Sequence, residues 1–226
     1  MKLAKGLMVF CFSFLWSAAH GATYQIDKEK SIFSVVTFKE GLAAGFAHNH
    51  FIYPGTYDVM LKFDSENLGN SWFALGFLAD ELVVDDPEAK ATWLPDLLNN
   101  GVVDGPLGEV SASDRASIKS SMLSQSQLNK DQYPRINARF DEIKVNPQAD
   151  STGYSHIGRL NLNVVGQSQS IEVPLNIRVV GDTIEIEGHG SYRFTDFGIT
   201  PYSALLGAIK VKDRFAFFAK IVGKVN

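Results

Sequence analysis

Apolar and polar residues alternate almost without error in the last third of the chain. From residue 171 onward, Ile171, Val173, Leu175, Ile177 and Val179 fall on one side, and the residues between them, most of them polar, fall on the other. A period of two residues is typical of a β-strand with one apolar and one polar face. The apolar faces of several such strands must enclose either side chains alone or side chains and a ligand.

Eight segments have this alternation or an apolar run of strand length. They are residues 32–38, 56–63, 72–84, 136–145, 158–165, 171–180, 184–194 and 208–225. Turn residues follow at 166–170 and at 181–182, and a change of phase at Asp141-Glu142 predicts a β-bulge. The pattern predicts an all-β fold, an antiparallel barrel of about eight strands that is closed or nearly closed. A sandwich of two sheets is the alternative that alternation alone leaves open.

Residues 85–130 interrupt the strand pattern with prolines, glycines and a helical stretch. Ser111 and Asp114 have the spacing of a capping box, and Ile118 and Met122 lie one helical turn apart. These features predict a small helical insertion, with a helix over about residues 112–125. An insertion of this length between strands is typical of a lid or of a helix that caps one end of a barrel.

The N-terminus has the composition of a secretory signal peptide. Lys2 and Lys5 precede an apolar stretch over residues 6–19, and Ala19-His20-Gly21 fits a cleavage site between small residues. The apolar stretch is shorter than the roughly 20 residues that span a bilayer. We therefore expect residues 1–21 to be a signal peptide and residues 22–226 to form one exported domain with no membrane span. An uncleaved anchor is the alternative.

Composition excludes several classes of protein. Cys11 lies in the signal region, so the exported chain has no cysteine and therefore neither a disulfide nor a thiolate site. Without Lys2 and Lys5, 19 basic residues remain against 25 acidic ones, a net charge of about −6. Such an acidic chain lacks the basic surface of a protein that binds nucleic acid.

Groupings of polar residues that support catalysis are scarce. No serine lies in a nucleophile elbow and no pair of carboxylates has a distinctive spacing, so we expect the protein not to be an enzyme. Glu81, Asp85 and Asp86 are interpreted as an acidic cluster exposed to solvent. Asp196-Phe197-Gly198 occurs without the other motifs of a kinase and predicts a corner between a strand and a turn. The apolar segment 201–206 is predicted to cap one end of the barrel.

His48 and His50 are the candidate metal ligands. Residues two apart in an extended segment project from the same face, and two imidazoles on one face can bind Zn²⁺, Cu²⁺ or iron. His156 and His189 are the other histidines outside the signal region, and a third imidazole from either would complete a three-histidine site. His189 lies two residues after Glu187 in a predicted strand and therefore on the same face, so it is predicted to face solvent. A metal-binding protein or metal-dependent enzyme is therefore the alternative function, and a histidine pair without metal is the simpler interpretation.

Four short motifs occur together and in a fixed order along the chain. They are Tyr133-Pro134-Arg135-Ile136 followed by Phe140, Gly158-Arg159-Leu160-Asn161-Leu162 followed by Val165-Gly166, Thr195-Asp196-Phe197-Gly198-Ile199, and Val211-Lys212-Asp213. Together they resemble the motifs of the YceI-like family, whose members are periplasmic, lipocalin-like barrels that bind polyisoprenoid lipids. The resemblance extends over nearly all of the chain outside the signal region.

The resemblance implies a periplasmic binding protein with a hydrophobic tunnel between the barrel walls and under the helix. The tunnel would hold a long isoprenoid or similar lipid for transport, storage or stress protection. Bulky apolar residues suit its lining, namely Phe73, Leu75, Phe77, Phe140, Phe215, Phe217 and Ile221. In this interpretation His48 and His50 hydrogen-bond the head group of the ligand, for example a quinone carbonyl, and no cofactor is required, although the same pair suits a divalent metal. A homodimer is compatible with the sequence.

Overall fold

The structure, a computed structural model, describes residues 21–226, and twelve β-strands dominate that range. The strands are β1 (Ala22–Ile26), β2 (Ile32–Glu40), β3 (His50–Pro54), β4 (Asp58–Phe63), β5 (Trp72–Leu78), β6 (Leu82–Val84), β7 (Arg135–Val145), β8 (His156–Val164), β9 (Gln167–Val180), β10 (Thr183–Arg193), β11 (Ser203–Ala204) and β12 (Ile209–Val225). The helices are α1 (Pro87–Asn99), α2 (Ala112–Leu123) and α3 (Ala149–Thr152). The predicted signal peptide, except for Gly21, lies outside the described residues. No helix within residues 21–226 is both long and apolar enough to cross a bilayer.

Eight of the described strands close into an antiparallel barrel. Their order is β1-β4-β5-β7-β8-β9-β10-β12, and β12 pairs with β1 to complete the ring. At the closing seam, Tyr24 lies opposite Val225 on one side and opposite Leu61 on the other. The closed ring confirms the predicted barrel and excludes the two-sheet sandwich.

The seventeen-residue strand β12 pairs with two strands along one of its edges. Residues 210–220 of β12 pair with β2, and residues 223–225 pair with β1. The sheet then continues from β2 to β3 and β6, so these strands prolong one wall of the barrel beyond the ring. β1 was not predicted from the sequence: Ala22, Tyr24 and Ile26 do alternate with polar residues, but five residues are too few to distinguish a strand from chance.

Helix α1 covers the outer face of this prolonged wall. Val36, Phe51, Leu97 and Phe218 are fully buried there, in a hydrophobic cluster separate from the barrel core. The wall is therefore buried on both faces, which explains why the residues of β12 are apolar at consecutive positions near Phe218.

The sequence predicted one helix in residues 85–130, and α1 is a correction to that prediction. Pro87 and Pro95 were interpreted as loop residues. Proline is tolerated in the first turn of a helix, where its missing N–H would have no partner in any case, and Pro87 occupies that position. The carboxylate of Asp86 caps the helix by accepting a hydrogen bond from the N–H of Ala89 (2.8 Å).

Helix α2 agrees with the sequence prediction except that it ends two residues earlier. The hydroxyl of Ser111 accepts a hydrogen bond from the N–H of Asp114 (3.1 Å), as the capping motif predicted. Ile118 and Met122 pack against the barrel core. The helix therefore lies over the barrel interior.

Three further predictions about the strands can be compared with the structure, and two of them need correction. The segment 72–84 is not one strand, because the 3-10 turn Ala79–Glu81 separates β5 from β6. The connection predicted at 166–170 is shorter: Val165 and Gly166 both have positive φ angles, and β9 begins at the next residue. The predicted β-bulge is confirmed by a shift in register between Asp141 and Lys144.

Candidate functional site

A cavity of about 420 Å³ lies in the barrel interior, on the side that α2 covers. Strands β5, β7, β8 and β12 and the prolonged wall supply most of its lining, and α2 closes it from above. The volume falls within the range of about 300–1,000 Å³ that is common for small-molecule sites. The lining contains no aspartate, glutamate or arginine from the described part of the chain. Such a wall suits a ligand that is mostly apolar.

Eight of the nine residues predicted as site residues line this cavity. They are His48, His50, Phe73, Leu75, Phe77, Phe140, Phe215 and Phe217. The ninth, Ile221, points into the barrel but lies outside the cavity, in the core opposite Ile186. Ile221 is therefore a core residue and not part of this wall.

Apolar side chains fill the barrel at the end where Ile221 lies. Tyr24, Leu61, Phe63 and Ile184 are buried in the barrel core and do not line the cavity. The cavity is consequently closed at that end, and access to it must come from elsewhere.

Several residues of the cavity wall are not among those predicted from the sequence. Phe33 stacks on Phe73, with ring centroids 5.3 Å apart, and Phe194 packs against Phe215 at 4.8 Å. From α2, Met122 contributes its flexible side chain. Phe33 lies in a predicted strand and Met122 in the predicted helix, so the elements were identified but the faces that meet at the cavity were not.

The predicted corner at Asp196-Phe197-Gly198 is confirmed and shapes the wall. Gly198 has a φ of +72°, which glycine adopts without strain. The carboxylate of Asp196 accepts a hydrogen bond from the N–H of Arg193 (3.2 Å), and Asp213 accepts one from the N–H of Thr195 (2.9 Å). These bonds hold the aromatic residue of the motif in the cavity wall.

The exposed members of the lining identify the mouth of the cavity. They are His48, Ser117, Tyr202 and Lys210. Three segments meet there: the loop before β3, the helix α2 and the chain between Gly198 and β12. The exposed lining at the mouth is thus polar or amphipathic, whereas the interior is mostly apolar, with the buried hydroxyl groups of Ser34 and Thr37.

A buried carboxylate orients one of the two candidate histidines. Asp85 is fully buried, and its Oδ2 lies 2.6 Å from Nδ1 of His50. The other oxygen accepts a hydrogen bond from the N–H of Phe51 (2.9 Å) and lies 3.8 Å from the ammonium of Lys90. The prediction that Asp85 belongs to an acidic cluster exposed to solvent is therefore wrong.

The backbone explains why Asp85 turns inward. Its φ of +49° ends β6 sharply, and its own N–H donates to the carbonyl oxygen of Phe51 (2.8 Å). Aspartate tolerates this left-handed conformation better than most residues. The carboxylate is then held beside the first residues of β3.

The hydrogen bond to Asp85 determines how His50 can act. A carboxylate is an acceptor, so Nδ1 of His50 carries the proton that the pair shares, and Nε2 remains for another partner. His50 lines the cavity, and its side chain is only 18% exposed. The arrangement provides an oriented imidazole close to the mouth.

His48 lies farther out and packs against Gly108. Asn49, between the two histidines, turns away from the cavity and its side-chain oxygen accepts a hydrogen bond from the N–H of Lys39 (3.0 Å). Both histidines therefore line the same cavity, as residues two apart in an extended segment should.

His156 and His189 do not join the histidine pair. Neither lines the cavity, and the hydroxyl of Tyr154 lies 2.6 Å from Nε2 of His189. Burial lowers the pKa of both imidazoles, and for His189 the nearby Glu187 partly opposes that shift. Within residues 21–226, no group of three or more His, Cys, Asp or Glu side chains is placed to hold a metal ion. A three-histidine site is therefore not assembled from these residues.

Comparison with known proteins identifies the fold. No family model and no curated protein matches the sequence. Among solved structures, BcnA of Burkholderia cenocepacia is 12% identical, with a TM-score of 0.58 over 88% of this chain and 99% of that one. A polyisoprenoid-binding domain of Saccharophagus degradans, implicated in plant cell wall breakdown, is 10% identical, with a TM-score of 0.53 over 91% of this chain and 99% of that one.

The YceI protein of Campylobacter jejuni is also similar. It is 10% identical, with a TM-score of 0.52 over 77% of this chain and 84% of that one. The chain thus has the fold of the YceI-like proteins, as its four motifs predicted. At identities this low, the likeness concerns the fold alone.

Proposed function

We propose that the protein is a binding protein and not an enzyme, and that it holds a long isoprenoid or similar lipid in the barrel cavity. The observation that carries this proposal is a mostly apolar cavity with polar side chains at its mouth. Each 100 Å² of apolar ligand surface removed from water there contributes about 2.5 kcal/mol to binding. The polyisoprenoid-binding domain with the same fold supports this ligand class.

The mouth suits a ligand with one polar end. Nε2 of His50 is free to contact a head group while Asp85 holds the ring, and His48 and Lys210 lie at the same opening. The charged side chains of the lining are basic, so a carbonyl, hydroxyl or phosphate oxygen is favoured over a cationic head group. A quinone carbonyl meets this requirement.

Native mass spectrometry of gently purified protein tests the proposal. We expect an added mass of several hundred daltons, on the scale of a drug-sized or larger ligand, that organic solvent releases. Protein that repeatedly carries no such mass, and that binds no isoprenoid after extraction, would falsify the proposal.

A cavity-filling variant adds a structural control. Ala138 lines the cavity, and Ala138→Phe places a ring in the space that the ligand needs. Asn137 is the preceding residue of β7, exposed on the opposite face, so Asn137→Phe is the matched control. We expect the affinity for an isoprenoid probe to fall at least about tenfold in Ala138→Phe, a loss of about 1.4 kcal/mol, and to stay unchanged in Asn137→Phe.

The alternative function is a metal site at His48 and His50. Its support is that both side chains line the same cavity. Such a site would use Nε2 of His50, because Nδ1 is engaged by Asp85. Equilibrium dialysis with Zn²⁺ or Cu²⁺ tests it. Stoichiometric metal that the double substitution His48→Ala and His50→Ala removes would support the site, and metal content that the substitution leaves unchanged would end it.

We also propose that the protein acts in the periplasm after cleavage of the signal peptide. The support is the composition of residues 1–21 and the absence of cysteine from the remaining chain. N-terminal sequencing of protein released by osmotic shock is the test. A chain that begins near residue 22 would support export, and an intact N-terminus in the cytoplasmic fraction would contradict it.

A further inference from the structure

Four large apolar side chains project into solvent beside the mouth of the cavity. Leu42 and Phe46 are 102% and 85% exposed, and Leu205 and Leu206 are 70% and 109% exposed. We call these four residues the mouth lip. Soluble proteins rarely expose contiguous apolar patches of this kind unless the patch binds something.

The two loops that carry the lip are joined to each other. The N–H of Ala43 donates to the carbonyl oxygen of Ala208 (2.9 Å). Gly41 approaches the same carbonyl so closely that a Cβ there would lie 2.5 Å from the oxygen. The lip is therefore one surface, although its residues are far apart in the sequence.

This surface borders the opening of the cavity. Ala47 and His48, which follow Phe46, line the cavity, and so do Ile209 and Lys210, which follow the second loop. A flat partner in contact with the lip would therefore face the cavity opening directly.

The backbone holds the leucines outward. Leu205 and Leu206 have φ angles of +51° and +54°, a left-handed conformation that is unfavourable for residues with a branched side chain. The segment 201–206 was predicted to cap the barrel. Only its first part does so, through Pro201 and Tyr202 in the cavity wall, while the two leucines face away.

The charge around the lip differs from that of the whole chain. The whole chain has a net charge of −4. The segments 39–50 and 200–212 contain Lys39, Lys210 and Lys212 against a single acidic residue, Glu40. Lys210 and Lys212 are exposed, and neither forms a salt bridge within residues 21–226. Exposed apolar side chains flanked by lysines complement an anionic lipid surface, where the apolar groups enter the interface and the ammonium groups contact phosphates.

We propose that the mouth lip docks on an anionic phospholipid bilayer and turns the cavity opening toward the membrane. The docking surface is formed by loops and inserts only side chains, so it is peripheral and reversible. It goes beyond the binding of a lipid in the cavity, and it holds whether or not the identity of that lipid is as proposed above.

Vesicle flotation tests the proposal with two compositions, phosphatidylcholine alone and phosphatidylcholine mixed with phosphatidylglycerol. We expect purified protein to float with the anionic vesicles and at least tenfold less with the neutral ones. Phe46→Ser combined with Leu206→Ser should reduce flotation at least tenfold, and Lys210→Glu with Lys212→Glu should remove the preference for anionic vesicles. The control is Val145→Ser with Val180→Ser, two exposed valines at the opposite end of the barrel, which should bind as the wild type does.

Three results would overturn docking. The first is wild-type protein that floats with neither composition, and the second is a lip variant that floats as well as the wild type. The third is a dimer in light scattering that the lip variant abolishes, with no vesicle binding, because it would assign the lip to a second copy of the chain. Retention of the cavity ligand, measured on the same samples by mass spectrometry, reports separately on the proposed binding function.

Discussion

At the scale of single residues, Asp85 shows what a pattern of apolar and polar positions cannot reveal. It follows an apolar strand and is next to another aspartate, so the sequence favours a solvated loop. Its burial depends on a left-handed φ angle and on donors from His50 and Phe51, which lie 35 and 34 residues away in the chain. Such partners become visible only in three dimensions. The placement of His48 and His50 at one cavity, in contrast, follows from their spacing of two residues, which is a local property.

The first prediction concerns this carboxylate. Asp85→Ala should lower the free energy of unfolding by about 3 kcal/mol or more, because the N–H of Phe51 would lose its acceptor and the buried ammonium of Lys90 its neighbouring negative charge. Lys90 would keep only its hydrogen bond to the carbonyl oxygen of Gly108 (2.6 Å). Glu81→Ala, which truncates an exposed carboxylate nearby, should change it by less than about 0.5 kcal/mol. Urea denaturation of both variants measures the difference, and equal stabilities would show that Asp85 does not support the fold.

The second prediction concerns pH. Burial lowers the pKa of His156 and His189 below the ordinary value of 6.5. The unfolded chain therefore takes up protons at these positions at a higher pH than the folded chain does, so stability is full above pH 6.5 and falls as the pH drops below that value. Replacing both residues, as His156→Gln and His189→Gln, should make the urea midpoint less sensitive to acid in this range.

The urea midpoint of each protein is measured at one pH above 6.5 and at one below it, and the difference between the two is compared. A general loss of stability in the variant therefore does not affect the result. Glutamine retains a polar group that can meet the hydroxyl of Tyr154. A variant that loses as much stability on acidification as the wild type would assign the acid sensitivity to other groups.

At the scale of elements, the strands were largely predictable and the helices only in part. Period-two alternation identifies β7, β8, β9 and β10 because each has one face in the barrel and one in water. Helix α1 was missed because two prolines in thirteen residues suggest a loop, and β12 has no clear period where both faces are buried. Local propensity fails in these places because tertiary packing decides the structure.

The third prediction tests the packing of α1. Leu97 is completely buried between the helix and the prolonged wall, and the adjacent Leu98 is 41% exposed. Leu97→Ala should lower the free energy of unfolding by about 3 kcal/mol, because a cavity forms next to Phe218. Leu98→Ala should cost less than about 1 kcal/mol. Similar costs for the two substitutions would contradict the assignment of Leu97 to the second cluster.

At the scale of the whole molecule, the sequence predicts which residues of a strand point into the barrel, but not how far along the barrel axis each of them lies. Phe215, Phe217 and Ile221 share one parity on β12, and all three point inward. Two of them line the cavity, and the third lies where Tyr24 and Leu61 fill the barrel. Depth depends on which side chains of neighbouring strands meet at the same level, and on the helix that covers one side. The site could therefore be predicted as a set of inward residues, but not its closed end or its mouth.

The last prediction concerns the stability of the whole fold, which the proposed binding of a lipid in the cavity must increase. A ligand that binds only the folded chain stabilises it by about 2.7 kcal/mol when its free concentration is 100 times the dissociation constant. Extraction of the wild-type protein with organic solvent, followed by return to buffer, should therefore lower its thermal midpoint, and addition of an isoprenoid should restore it. Ala138→Phe should respond to neither step, because its own ring occupies the space, whereas Asn137→Phe should respond as the wild type does. If extraction lowers the midpoint of Ala138→Phe as much as that of the wild type, the loss of stability does not come from a ligand in the cavity, and this prediction is wrong.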